Sequence, residues 1–88
     1  MEKVKNFVVV GGLWWDKPNG NTYCKAHILD PETNEHYYSS VSYGSGQQFI
    51  HVAREYIKDH LGYCEEDINI IDMGTFYIKH KDLRNNNF

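Results

Sequence analysis

Apolar and polar positions divide the chain into five blocks. From residue 5 to residue 15 both alternating faces are apolar, with Val8, Val10 and Trp14 on one and Phe7, Val9 and Leu13 on the other. A strand of this kind is central with two covers, or has one face against a partner. Gly11-Gly12 in its middle predicts a bulge or a close backbone approach. Lys3 and Lys5 ahead of an apolar run imitate a secretory leader. The run ends in Trp14-Trp15-Asp16 rather than in small residues and leads straight into a turn, so it reads as a buried strand.

Asp16-Lys17-Pro18-Asn19-Gly20 is the strongest turn signal, because proline presets one corner and glycine admits positive φ at the other. It predicts a hairpin to a second strand, Thr22–Leu29, in which Cys24, Ala26 and Ile28 alternate with Tyr23, Lys25 and His27. A turn at Asp30–Glu35 leads to a third strand from about His36 to Tyr43. Phe49, Ile50, Ala53, Tyr56, Ile57 and Leu61 then recur at helical spacing, with His51, Arg54, Glu55 and Lys58 on the polar side. Ser45 with Gln48 three residues on predicts a capping box, and Gly62 predicts the stop. The last strand covers about Ile68–Lys79, with Gly74 marking a bulge. The expected fold is a single α+β domain over residues 1–83. Its order is β-β-β-α-β, an antiparallel sheet of about four strands carrying one helix. Residues 84–88 are expected to fray.

Composition narrows the classes. The chain has 88 residues, of which 41% are hydrophobic, enough for one small core and no second domain. No segment reaches the roughly 18 apolar residues of a membrane span. A net charge of −3 argues against nucleic acid as the partner. Acidic residues concentrate at the helix end and the loop after it, where Asp59, Glu65, Glu66 and Asp67 form a candidate acidic patch. Cys24 and Cys64 lack CxxC spacing and read as two reduced thiols of a cytoplasmic protein.

Two places carry candidate binding chemistry. One helix cannot cover both sheet faces. The face bearing Trp14, Trp15, Tyr23, Lys25, His27, His36 and Tyr38 is therefore expected to meet a ligand, a protein partner or a second copy of the chain in a homo-dimer. The strand-to-helix corner Tyr43-Gly44-Ser45-Gly46-Gln47-Gln48 could cradle a nucleotide or another anion on free N–H groups, or could merely turn the chain. The histidines His27, His36, His51, His60 and His80 have no metal-site spacing, so no metal and no cofactor is expected. There is no nucleophile elbow, no Cys with a base partner and no carboxylate pair in one cleft, so the chain reads as a non-enzyme.

The segments Trp14-Trp15-Asp16-Lys17-Pro18-Asn19-Gly20-Asn21-Thr22-Tyr23 and Tyr43-Gly44-Ser45-Gly46-Gln47-Gln48-Phe49 resemble a set of small uncharacterised tailed-phage proteins. That set shares a W-x-D-K-x-N-G-N-T-Y hairpin and a Y-G-x-G-x-Q/Y corner. The likeness covers about the first two-thirds of the chain. The set often has Gly-Tyr-Gly then Gln-Tyr at the corner, where this chain has Gly44-Ser45-Gly46 then Gln48-Phe49. The resemblance implies an accessory phage protein that acts in the host cytoplasm by binding and blocking a host protein or protein complex, defence systems included. Strand-strand-strand-helix order is also similar to part of a double-stranded-RNA-binding domain, giving a nucleic-acid-binding regulator as a further alternative. The lysine cluster such a domain carries at its following helix is absent.

Overall fold

The computed structural model describes residues 4–88; Lys3, one of the two lysines of the leader-like start, lies outside them. The strands are β1 (Lys5–Asp16), β2 (Asn21–Asp30), β3 (Glu35–Tyr38), β4 (Ser42–Tyr43) and β5 (Ile68–Tyr77). The helices are α1 (Gln48–Leu61) and the short α2 (His80–Arg84), with a single 3-10 turn at Glu65–Asp67. The class is α+β. The molecule is elongated, 51 Å by about 20 Å, because β1 and β2 form one long hairpin.

The hairpin closes as its turn residues require. Gly20 takes φ 69°, and its N–H and that of Asn19 donate to the Asp16 carbonyl. The opposite end is tied by Lys5, whose ammonium pairs with Asp30 at 2.9 Å and with Glu32. Hydrogen bonds to Glu32 and Asp30 hold the Lys5 pKa above the ordinary lysine range. At Asp30, burial pushes the carboxyl up, but the bonds from Lys5 and the Glu32 backbone outweigh it and the net shift is downward.

Three expectations are corrected. The sheet is mixed, in the order β3-β2-β1-β5, because β5 runs parallel to β1. The reason is the crossover. β4 lies antiparallel to β2, α1 carries the chain back, and a strand-helix-strand connection delivers β5 parallel to the sheet's other members of that sense. The third strand is broken at Ser39–Val41. There the buried Ser39 hydroxyl accepts from the Ala26 N–H at 2.9 Å, replacing a ladder carbonyl. The helix begins at Gln48, and neither Ser45 nor any other side chain caps it. Gly46 at φ 63° turns the backbone out of the helical path between Ser45 and the first helical residue. Gly62 ends α1 in the left-handed conformation, as its position predicts.

The core lies between one sheet face and α1. Phe7, Val9, Leu13, Cys24, Ala26 and Ile28 meet Phe49, Ala53 and Ile57. Gly11 is required there, since a Cβ would lie 2.6 Å from the Phe49 ring. Between Val9 and Gly11 the β1–β5 register shifts, and Gly74 at φ 88° lies in the bulge.

Candidate functional site

The second sheet face carries Val8, Val10, Gly12 and Trp14 from β1, paired with Leu29, His27, Lys25 and Tyr23 of β2. Tyr38 pairs with His27, His36 with Leu29, and Tyr43 with Tyr23. Six of the seven residues expected on the binding face therefore share it. Trp15 does not: one position along from Trp14, it lies on the helix side beyond the core and is exposed.

Part of this face is covered by the chain itself. α2 and Phe88 lie across the middle of the face, while Arg84, Asn85, Asn86 and Asn87 between them are exposed. Leu83 is fully buried, and Lys25 is buried beneath α2 with its ammonium donating to the Leu83 carbonyl at 3.1 Å. Burial pushes the Lys25 pKa down. Lys25 thus pegs a helix end and is not free for a partner. Phe88 completes the cover: its carbonyl accepts from the Tyr38 hydroxyl at 2.9 Å, and its ring meets Tyr38, His27 and Phe76 edge-on.

The cover divides the remaining surface in two. At the hairpin end, His80, Trp14, Tyr23 and Tyr43 form a row of rings with successive centroid separations of 4.4, 5.6 and 5.7 Å. A cleft of about 300 Å³ lies against them, lined by Trp14, Asp16, Tyr23, Val41, His80, Leu83 and Arg84. At the other end, a depression of about 330 Å³ is lined by Val8, Val10, His27, Leu29, His36 and Met73. There His27 Nε2 and His36 Nδ1 are 2.8 Å apart, one donating and the other accepting. Burial lowers the His27 pKa, His36 lowers it further, and the Phe88 backbone partly offsets both.

The glycine-rich corner joins the hairpin end. The Gly44 N–H donates to the Thr22 carbonyl at 2.9 Å, and the Tyr43 hydroxyl to Asn21 Oδ1 at 3.3 Å. Gly44, Gln48 and Ile50 N–H groups already have backbone acceptors, which reduces the donors left for an anion. The space a Gly44 side chain would fill is taken by Gln48. Ser45, Gly46 and Gln47 are exposed. In the acidic patch, Asp59, Glu65 and Glu66 are exposed and Asp67 is half-buried. Cys24 is buried and Cys64 exposed, both as free thiols.

Among the described residues no three His, Cys, Asp or Glu side chains cluster as metal ligands, and no helix is long and apolar enough to cross a membrane. No family model, curated protein or solved structure matches the chain.

Sequence reasoning missed His80, Leu83 and Phe88 as parts of this face, and Ile71, Met73 and Phe76 as its margin. The usable signal was Leu83 and Phe88 standing as isolated apolar residues in a polar tail.

Proposed function

We propose that this chain is a non-enzymatic binding protein that docks a protein partner on the uncovered half of its second sheet face. One observation carries the reading. Val8, Val10 and Leu29 form a half-buried apolar floor that continues onto exposed Ile71 (42%) and Met73 (62%) of β5. A contiguous apolar surface of this kind is what interfaces bury. β5 is also an edge strand paired on one side only, and before the bulge at Met73–Gly74 its stretch Ile68–Asp72 keeps regular pairing with β1. A partner segment adding to β5 would gain main-chain hydrogen bonds and place alternate side chains over Ile71 and Met73. The resemblance to phage accessory proteins supports a host protein or protein complex as that partner, met in the host cytoplasm and inhibited by occupancy.

The test pairs solution mass with affinity capture from host lysate, using wild type and Ile71→Lys/Met73→Lys. Both positions are exposed, so folding should be kept. The reading expects a monomer that retains one identifiable host protein at fixed stoichiometry, with retention lost in the variant. Equal capture by the variant would count against it. So would a wild-type dimer that the variant dissociates, since a second copy would then be the cover.

A further inference from the structure

We propose that the cleft at the hairpin end is a separate ligand site for a planar heterocycle bearing an anionic group, the chemistry of a nucleoside monophosphate. At about 300 Å³ its volume falls in the range of small-molecule sites, and it combines apolar lining with few polar groups, as such sites do. Trp14 and Tyr23 are cross-strand partners whose rings stack on each other 21° from parallel, with His80 against Trp14 at 4.4 Å, so this row of rings gives the cleft an aromatic side that a planar heterocycle would meet along its edges. Val41 and Leu83 supply apolar contact.

Two charged groups set the polarity of the ligand. Arg84 lines the cleft, is exposed, and makes no salt bridge among the described residues, so its guanidinium fork is available to a phosphate. Arg84 is the one lysine or arginine among the lining residues; Lys79, just before α2, and Lys81, within it, are exposed and do not line the cleft. Asp16 also lines the cleft. One carboxylate oxygen accepts from Asn19 Nδ2 at 2.8 Å, which orients the group and leaves the other oxygen for an exocyclic amine. An aromatic side, an acceptor and an unpaired guanidinium around one cavity match base, amine and phosphate of a single ligand. The glycine-rich corner contributes no lining residue to this cleft.

AMP, adenosine, inorganic phosphate and a short single-stranded oligonucleotide are titrated against the full chain. Tryptophan fluorescence and backbone amide shifts are the readouts. AMP should quench saturably and shift the Trp14, Tyr23 and Arg84 amides, with adenosine about tenfold weaker and phosphate alone weaker still. Arg84→Gln should bring AMP down to the adenosine level and leave adenosine binding unchanged. Trp14→Leu should weaken both by at least about fivefold. The proposal is overturned by no saturable response to AMP at millimolar concentration, or by equal affinity for AMP and adenosine. It is also overturned by shifts confined to Gly44–Gln48, or by oligonucleotide binding without AMP binding. Failure of the Ile71/Met73 experiment would leave this result standing, because the two sites share no residue.

Discussion

The ring of Phe88 lies against the backbone of Gly12, so close that a Cβ on Gly12 would sit 2.9 Å from it. Together with the Lys25 bond to the Leu83 carbonyl and the Tyr38 bond to the Phe88 carbonyl, this contact ties the end of the chain to the second sheet face. Gly12→Ala should therefore destabilise the protein by about 1–2 kcal/mol, since flexible ends of Phe88 and Ile78 can give way. In a Phe88→Ala background the added cost should shrink. Gly11→Ala meets the fully buried Phe49 ring instead and should cost more, about 3 kcal/mol. Urea denaturation of the single and double variants measures all of these.

Stability should fall on mild acidification because of His27. Its folded pKa lies below the ordinary value of 6.5, so the unfolded chain takes up the proton first. The stabilisation is complete above about pH 6.5 and is lost as pH falls through that value toward the folded pKa. The urea midpoint should drop between about pH 7.5 and 5.5, a window above most carboxylate titrations. His27→Gln should flatten that drop. An equal drop in the variant would assign it to other groups.

Replacing Ser45 should change little. A serine that caps a helix costs about 1 kcal/mol when changed to alanine. Ser45 caps nothing and is exposed. Ser45→Ala should stay within about 0.5 kcal/mol of wild type by thermal denaturation.

The two thiols should react on different schedules. Cys64 is exposed and should react with a thiol reagent at once. Cys24 is fully buried in the core and its pKa is raised by burial, so it should react only when the sheet opens. Time-resolved labelling with and without denaturant separates the two.

Much of the fold is written in local pattern. Alternation in residues 24–28 sets apart Cys24, Ala26 and Ile28, which meet α1, and the stripe from Phe49 to Ile57 names those that meet the sheet, whereas residues 7–13 are apolar on both faces and alternation alone does not choose between them. Pro18 to Gly20, Gly62 and Gly74 mark a turn, a stop and a bulge, because each depends on the φ range of one or two residues. Ser45 misled for the same local reason: a capping pattern holds only if the backbone continues helically, and Gly46 bends it away.

The sequence alone determined the two-faced character of β1 and the inference that one helix could not cover both sides. Only the tertiary structure decided what does. Leu83 and Phe88 are single apolar residues in a polar tail, with no period to reveal them, and they become cover only because Lys25 and Gly12 lie across from them. Likewise, the parallel placement of β5 follows from where α1 crosses the sheet, which no spacing along the chain encodes. Periodicity reports which side of an element is buried. Which elements then meet is set by packing between residues up to 76 positions apart, as Gly12 and Phe88 are.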